Sequence, residues 1–157
     1  MSEISFISAV YNEEAEIADL LNHVNDHVDW LYVVDDSSTD STPKILQAYK
    51  EYWKSLDYKI IPHTGLPETV KNEALQMVPD GSWVIMLDAD ERFITPLSEI
   101  VTWIESPSSK EVDYVYCEQY EIIDDQHVRS FQKCKVFRKE AIKFPLDNIP
   151  VSYTHLR

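Results

Sequence analysis

The sequence contains very little glycine, and this scarcity excludes a whole class of phosphate-binding sites. Only Gly65 and Gly81 occur among its 157 residues. A G-x-G-x-x-G turn and a P-loop both need at least two closely spaced glycines in a loop whose backbone N–H groups surround the phosphates, whereas Gly65 and Gly81 are far apart. The negative charge of any phosphate group that this protein binds must therefore be neutralised in another way, and a bound cation is the simplest candidate.

Cysteine and long apolar runs are scarce as well. Cys117 and Cys134 are too few for a disulfide framework and too far apart for a C-x-x-C metal site. No apolar stretch reaches the roughly 18 residues of a membrane span, and the N-terminus shows no basic region followed by an apolar one. We therefore expect a cytoplasmic location without a transmembrane segment, with peripheral association at the inner membrane face as the alternative.

Positive charge is also in short supply. The 14 Lys and Arg residues face 28 Asp and Glu residues, which gives a formal net charge of -14. Such a field repels nucleic acid, so no nucleic-acid partner is expected. The hydrophobic fraction of 44% is nevertheless that of a folded globular protein, and 157 residues suffice for one domain with a core.

What the sequence does contain is an apolar run that ends abruptly in carboxylates. Residues 83–87 read W-V-I-M-L and are followed by Asp88, Ala89, Asp90 and Glu91. A continuous apolar run predicts a strand buried on both faces, and ligands of open α/β sheets bind beyond the carboxyl ends of such strands. Two acids one residue apart at that edge are suited to a hard divalent cation. The alternative interpretation is a charged turn that merely closes the strand.

Short strands alternate with helices through the first two-thirds of the chain, which predicts a parallel sheet built from βαβ units. Asn12 is predicted to cap the first helix, Ser41 or Thr42 the second, and Thr95 the fourth. Farther along, two longer strands around a turn at residues 124–126 predict an antiparallel hairpin. The predicted strands are residues 4–10, 30–34, 58–61, 83–87, 112–123 and 128–137, and the predicted helices are residues 43–53, 67–78 and 96–105 together with a first helix whose apolar positions run from Ile17 to Val28.

Three polar motifs fall at the carboxyl ends of predicted strands, and a fourth lies on the helix between the last two. They read V-Y-N-E-E at 10–14, D-D-S-S-T-D-S-T at 35–42, V-K-N-E-A at 70–74 and L-D-A-D-E at 87–91. In this order and spacing they resemble the motifs of the family 2 glycosyltransferases, which are GT-A enzymes that use nucleotide sugars. The resemblance covers residues 4–95 well and the remainder weakly. It implies an α/β fold of the GT-A type, a Rossmann-like three-layer sandwich with a mainly parallel central sheet and a C-terminal antiparallel hairpin.

The resemblance also implies roles for the first two motifs. Tyr11 would pack on the nucleotide base, and Asn12 and Glu13 would lie beside the base and the ribose. Asp35 or Asp36 would hydrogen-bond the base edge or the ribose. The base would therefore be held by residues that follow the first two strands.

The later motifs would hold the diphosphate end of the donor. By the same resemblance, Lys71 would face the diphosphate or the base, and Asp88 would contact the ribose or a metal-bound water, with Ala89 beside it in the nucleotide-sugar site. Asp90, with Asp88, would ligate Mn²⁺ or Mg²⁺ that bridges the diphosphate. Expulsion of a nucleoside diphosphate requires charge to be neutralised on the leaving oxygens, and a cation held by acids does this where no glycine loop exists.

The implied function is transfer of a hexosyl or related glycosyl group from a nucleoside diphosphate sugar to an unknown glycan, lipid or protein acceptor. The enzyme would be metal dependent and inverting, and inversion needs a carboxylate base that deprotonates the acceptor hydroxyl. Asp124, Asp125 and Asp147 are available acids, but none lies in a recognisable base motif, so the catalytic base is unassigned. Residues 134–139 also resemble a basic hairpin that precedes a metal-binding histidine in some members, for which His155 is the candidate.

The ending P-V-S-Y-T-H-L-R at residues 150–157 looks like a translated sequencing adapter. We therefore expect residues 1–149 to form the GT-A nucleotide-sugar-binding domain with an incomplete acceptor half, and residues 150–157 to be a non-native tail. The alternatives are a receiver-like phospho-accepting signalling domain, a haloacid-dehalogenase-like phosphatase and a catalytically inactive nucleotide-binding fragment. Four histidines are interpreted as structural or solvent-exposed: His23, His27, His63 and His127. Glu91 is interpreted as a surface acid, and the resemblance implies support of the metal site as the alternative.

Overall fold

A computed structural model describes residues 2–124, 127–143 and 154–155 of the chain. Strands and helices alternate as far as the fourth helix, and a long hairpin follows. The strands are β1 Ile4–Val10, β2 Trp30–Asp35, β3 Leu56–Ile60, β4 Trp83–Met86, β5 Tyr114–Asp124, β6 His127–Arg138, β7 Ile142–Lys143 and β8 Thr154–His155. The helices are α1 Ile17–Val24, α2 Thr42–Tyr52, α3 Pro67–Met77 and α4 Leu97–Glu105, and short 3₁₀ turns cover Asn25–His27, Pro107–Glu111 and Lys139–Ala141.

Six of the strands form one sheet in the order β3-β2-β1-β4-β6-β5. The first four are mutually parallel, whereas β6 runs antiparallel to β4, and β5 runs antiparallel to β6. The predicted parallel sheet and the predicted hairpin are both confirmed. Val10 is opposite Asp35, and Asp35 is opposite Ile60, so the carboxyl ends of β1, β2 and β3 are level with one another.

The sheet lies between two helical layers. On one face, α1, α2 and α4 contribute side chains such as Leu20, Leu46 and Ile104 to a cluster that includes Phe6 and Ile85 of the sheet. On the other face, α3 packs against a second cluster of sheet residues. The predicted three-layer arrangement is therefore present.

Strand β4 shows why its sequence is a continuous apolar run. Trp83 and Ile85 belong to the cluster on one face of the sheet, and Val84 and Met86 belong to the cluster on the other. All four side chains are buried. Because both faces of this strand are covered, no position in it faces water, and the usual alternation of polar and apolar residues is absent.

The predicted helix starts need correction. Helix α1 begins at Ile17, not after Asn12, and Val28 lies beyond its end. Asn12 instead adopts a positive φ of 55° in a turn and forms bonds across to the loop after β2. Helix α2 begins at Thr42 with Ser41 at the N-cap position, and that side chain makes no capping hydrogen bond. Pro96, not Thr95, occupies the N-cap position of α4.

Several sequence-based expectations fall outside the described residues. These concern Asp125, Asp147 and most of the predicted tail at residues 150–157. Within that tail only β8 is described, and it pairs antiparallel with β7. Among the helices of the described ranges, none has both the length and the apolar character that crossing a membrane requires.

Candidate functional site

A cavity of about 400 Å³ opens at the carboxyl edge of the parallel strands. Its walls come from the segments that follow β1, β2, β3 and β4, together with α3. Six of the residues that the sequence predicts for nucleotide-sugar binding line it, namely Tyr11, Glu13, Asp36, Lys71, Asp88 and Ala89. Residues from four motifs thus meet because parallel strands bring their carboxyl ends to one edge of a sheet.

Three other predicted residues do not line this cavity. Asp35 is fully buried, and its Oδ1 accepts a hydrogen bond from the Ser38 N–H at 2.6 Å. The Asn12 side chain accepts a hydrogen bond from the Thr39 N–H at 2.8 Å. Asp90 is exposed and lines a neighbouring cleft of about 1020 Å³ that lies along the β5–β6 hairpin. Asp35 and Asn12 therefore shape the loops around the cavity, and Asp90 lies at the border between the cavity and the cleft.

The loops after β1 and β2 are tied to each other by several hydrogen bonds. The Asn12 N–H donates to Ser38 Oγ at 2.8 Å, and the Glu13 N–H donates to Thr42 Oγ1 at 2.8 Å. The Glu14 N–H also donates to a carboxylate oxygen of Asp40. Serine, threonine and aspartate often take such places because their short side chains reach backbone groups. The polar motif at 35–42 thus sets the position of Tyr11 and Glu13.

Asp36 holds the loop after β3 in place. Its Oδ1 accepts the Thr64 N–H at 2.6 Å, and its Oδ2 accepts the Gly65 N–H at 3.0 Å. The same Oδ2 is 3.0 Å from Nδ1 of His63. Only 4% of the surface of Asp36 is exposed, and its carboxylate contacts these three groups.

His63 is a cavity residue that the sequence analysis missed. Its ring lies 4.7 Å from that of Tyr11, with 32° between the two planes, and both residues line the cavity. The interpretation of His63 as merely structural or solvated rested on metal-ligand spacing alone. A better signal was available, since His63 comes two residues after a predicted strand, at the edge where ligands bind.

Asp88 is paired with Lys71 at the wall of the cavity. Lys71 Nζ is 3.1 Å from Asp88 Oδ1. Burial raises the pKa of Asp88, but attraction to Lys71, Lys135 and Lys133 outweighs this effect and holds the pKa below its ordinary value. Asp88 is therefore a carboxylate anion at neutral pH, and Lys71 is a cation directed into the cavity and not a solvated surface residue.

Apart from the Lys71–Asp88 pair, the charged side chains around Glu13 are acidic. The pKa of Glu13 is raised by burial and by the neighbouring charges of Asp90, Glu16, Asp40 and Asp88. This mutual repulsion is a cost that a bound cation would relieve.

The residues present fit a cation that is shared with a substrate. No group of three or more potential ligands from His, Cys, Asp and Glu occurs within the described ranges. Asp88 and Asp90 alone would leave a cation coordinated largely by water. Mg²⁺ in nucleotide enzymes is commonly held by one or two carboxylates plus substrate phosphates, and this donor set matches that arrangement. Asp90, with Asp88, would thus hold a metal only together with a phosphate-bearing ligand.

Glu91 is not the surface acid that the sequence indicated. Only 11% of its side chain is exposed, and its carboxylate contacts Nζ of Lys135, which is itself 5% exposed. Glu91 Oε2 also accepts the Asp88 N–H at 2.9 Å. This ion pair fastens the Asp88–Asp90 segment to strand β6.

The model of the family described as glycosyl transferase family 2 matches residues 5–157. An uncharacterized glycosyltransferase of Rickettsia typhi is 29% identical over 150 residues, which are 92% of this chain and 49% of that protein. The chain spans about half the length of the curated relatives that match most of it.

Solved structures agree with these sequence matches. TarS of S. aureus in complex with UDP is 29% identical, with a TM-score of 0.57 over 66% of this chain and 32% of that one. A mannosyltransferase from Pyrobaculum calidifontis in complex with GDP-Man and Mn²⁺ is 27% identical, with a TM-score of 0.58 over 73% of this chain and 35% of that one. The predicted GT-A sandwich and the predicted family resemblance are confirmed.

Proposed function

The chain belongs to glycosyltransferase family 2, and from this premise we propose that it binds a nucleoside diphosphate sugar in the cavity at the carboxyl edge of its sheet and transfers the sugar to an acceptor hydroxyl. The main support for the proposal is that Tyr11, Lys71 and Asp88 all line this one cavity. An aromatic ring, a cation and a carboxylate there suit a base, a diphosphate and a ribose, respectively. The mannosyltransferase bound to GDP-Man and Mn²⁺ supports the proposal by its likeness in fold.

The base end of the donor would lie against Tyr11. This ring is 44% exposed although it follows a buried strand, so it offers an open apolar face. Stacking of a base on an aromatic side chain contributes about 1–3 kcal/mol in proteins that bind single-stranded nucleic acid. Asn12 and Glu13 would support this platform, since their backbone N–H groups are held by Ser38 in the loop after β2 and by Thr42 at the start of α2.

The diphosphate would lie between Lys71 and the Asp88–Asp90 segment. Lys71 Nζ, now 3.1 Å from Asp88, can turn its charge toward the phosphate oxygens, which leaves the Asp88 carboxylate for the ribose or for a cation. Asp90, with Asp88, would hold Mn²⁺ or Mg²⁺. When bound, that cation would supply neutralisation of the charge that develops on the leaving diphosphate.

The acceptor would approach from the neighbouring cleft along the β5–β6 hairpin, which Asp90 lines. Inversion would require a carboxylate base there. The three acids that the sequence offers, Asp124, Asp125 and Asp147, have no described side chain, so the base stays unassigned. Family membership gives no support to the receiver-like and phosphatase-like alternatives. A binding fragment without catalysis is separated from an enzyme by an assay for the nucleoside diphosphate, which both transfer and hydrolysis of the sugar release.

The proposal is tested by calorimetric titration of the protein with UDP and GDP, with and without Mn²⁺. We expect Mn²⁺ alone to bind weakly and nucleotide binding to tighten when Mn²⁺ is present, because the phosphates complete the coordination shell. Asp90→Asn should abolish this tightening and leave the fold intact. The matched control is Asp80→Asn, which alters an exposed acid before β4 that pairs with Lys139 at 2.6 Å.

Two results would contradict the proposal. If the parent protein binds no nucleoside diphosphate under any condition, the cavity is not a donor site. If Asp90→Asn binds nucleotide as tightly as the parent with Mn²⁺ present, the metal role of Asp90 is wrong. We further propose that residues 1–149 carry the donor site, so deletion of residues 150–157 should leave nucleotide affinity unchanged.

A further inference from the structure

We propose that Arg92 positions Asp90 for metal binding: its guanidinium group holds the carbonyl oxygens of the two residues that flank Asp90 and ties them to helix α1. This inference rests on the proposed function, because it assumes that Asp90 ligates a cation shared with a nucleoside diphosphate. It adds a positioning residue, which sets the place of that ligand without touching the substrate.

The position of the Asp90 carboxylate depends on the backbone that carries it. Asp90 is exposed, and within the described ranges its carboxylate makes no hydrogen bond or ion pair. Asp88 differs in this respect, since its Oδ1 is 3.1 Å from Nζ of Lys71. Whatever fixes the main chain around Asp90 therefore also fixes where its carboxylate can meet a cation.

That main chain is a four-residue turn with Asp90 at its third position. The Glu91 N–H donates to the carbonyl oxygen of Asp88 at 3.0 Å and closes the turn. In return, the Asp88 N–H donates to Oε2 of Glu91 at 2.9 Å. Neither bond involves the carbonyl groups of Ala89 and Glu91, which lie on either side of Asp90.

Arg92 contacts both of these carbonyl groups. Its Nη1 donates to the carbonyl oxygens of Ala89 and of Glu91, each at 2.7 Å. Hydrogen bonds from a charged donor are short and strong, and the rigid planar guanidinium group fixes their directions. One group thus holds the chain immediately before and immediately after Asp90.

The opposite side of the guanidinium group is anchored on α1. Nε and Nη2 lie 3.0 and 2.9 Å from Oδ2 of Asp19, and Nη2 donates to the carbonyl oxygen of Glu16 at 3.3 Å. The Glu16 N–H in turn donates to the carbonyl oxygen of Glu13 at 3.0 Å. Arg92 therefore connects the segment after β4 with the segment after β1, and both segments line the cavity.

These contacts give an acceptor to each of the five N–H donors of the guanidinium group. Nε faces Asp19, Nη1 faces two carbonyl oxygens, and Nη2 faces Glu16 and Asp19. Arg92 lines the cleft beside the cavity, but it could bind a phosphate or an acceptor only by giving up one of these contacts. It is therefore a positioning residue and not a substrate-binding one.

The test is calorimetric titration with UDP and GDP, each with and without Mn²⁺, of the parent protein and of Arg92→Lys. Lysine keeps the positive charge but replaces the planar fork by a single ammonium group. We expect Arg92→Lys to weaken nucleotide binding about 10-fold or more with Mn²⁺ present, the usual cost of losing a residue that orients a metal ligand. Without Mn²⁺, the affinities should stay within about 2-fold of those of the parent.

The matched control for loss of stability is Arg138→Lys. This arginine also donates to a backbone carbonyl oxygen, and it lies opposite Trp83, at the other end of β4 from Asp90. The same substitution there should leave the nucleotide affinities unchanged with and without Mn²⁺. A loss of Mn²⁺-dependent binding as large as that in Arg92→Lys would overturn the inference. Circular dichroism checks that each variant is folded.

Asp19→Ala tests the anchor on α1 separately. It changes a side chain that is 79% exposed and leaves the contacts of Arg92 with the turn. It should weaken binding with Mn²⁺ in the same direction as Arg92→Lys, by a smaller factor. Asp26→Ala controls for the change in charge, because it removes another exposed acid, from the turn after α1. If Arg92→Lys does not fold, Asp19→Ala carries the test by itself, and no difference between it and Asp26→Ala overturns the inference.

The outcomes separate this inference from the proposed function. If the parent protein binds neither nucleotide, or binds both equally well with and without Mn²⁺, the donor site or the metal role of Asp90 fails, and the inference fails with it. If Mn²⁺ tightens binding by the parent and folded Arg92→Lys keeps this tightening, only the inference is overturned. Equal weakening with and without Mn²⁺ also overturns it, because Arg92 would then act on the whole cavity and not on Asp90.

Discussion

Removal of the positive charge at Lys135 should destabilise the protein strongly, because its partner Glu91 would remain as a buried carboxylate. The two side chains are 5% and 11% exposed and form a direct ion pair between strand β6 and the segment after β4. Loss of one partner from a buried pair typically costs about 3–5 kcal/mol. Glu91 keeps the Asp88 N–H at 2.9 Å and lies 3.8 Å from Lys133, so we expect the lower end of that range.

The perturbation is Lys135→Met, which keeps an unbranched side chain of similar length. A loss of about 3 kcal/mol in the free energy of unfolding corresponds to a fall of about 6–12 °C in melting temperature for a chain of this size. Urea and thermal denaturation measure the two quantities. The matched control is Arg129→Met on the same strand, whose partner Glu121 is half exposed. An exposed pair of this kind contributes at most about 1 kcal/mol.

A second substitution tests whether the unpaired buried charge is the cause of the lost stability. Glu91→Gln alone should destabilise the protein, because it leaves the Lys135 ammonium buried without a counter-charge. In the Lys135→Met background the same Glu91→Gln change should be stabilising, because it removes the unpaired carboxylate and keeps an oxygen for the Asp88 N–H. A cost of less than about 1 kcal/mol for Lys135→Met, or the same effect of Glu91→Gln in both backgrounds, would show that Glu91 and Lys135 do not form a buried ion pair.

Two further predictions concern titrating groups. Burial, followed by Asp90 and other acids, raises the pKa of Glu13 above its ordinary value of 4.5, so the folded state loses stability as the pH rises through the raised pKa. Glu13→Gln should therefore stabilise the protein near pH 7 and lose this advantage near pH 4; denaturation curves that show destabilisation at pH 7 would contradict this. Burial also raises the pKa of Cys134 to about 12 and raises that of Cys117, so a thiol reagent at about pH 8 should label neither rapidly until urea unfolds the chain. Rapid labelling of native Cys134 would show that β6 is more open than the structure indicates.

The sequence was sufficient for the elements whose pattern is local. Strand β1 spans Ile4–Val10, as predicted, and β4 begins at Trp83, where the apolar run begins. Both strands are buried on two faces, and in β4 a continuous apolar run reports that burial directly. The hairpin of β5 and β6 could also be predicted from the sequence, because two long strand patterns lie on either side of a short turn.

Local capping signals were less reliable than apolar patterns. Asn12 has the chemistry of an N-cap and precedes two glutamates, yet α1 begins at Ile17. Its side chain instead accepts the Thr39 N–H from a loop 27 residues away in sequence. A hydrogen bond to a distant loop competes with the local cap, and nothing in the neighbourhood of Asn12 reveals that competition.

The sequence by itself determined the parallel α/β sheet, the hairpin and the edge at which the polar motifs collect, because apolar periodicity and strand polarity are properties of short segments. Only the tertiary structure decided which partners each polar side chain contacts. Asp36 is committed to the loop that carries His63, and Glu91 is committed to Lys135, a residue 44 positions away. The physical reason is that a buried carboxylate must find donors wherever the fold places them, and those donors lie on other segments of the chain: the loop after β3 for Asp36 and strand β6 for Glu91.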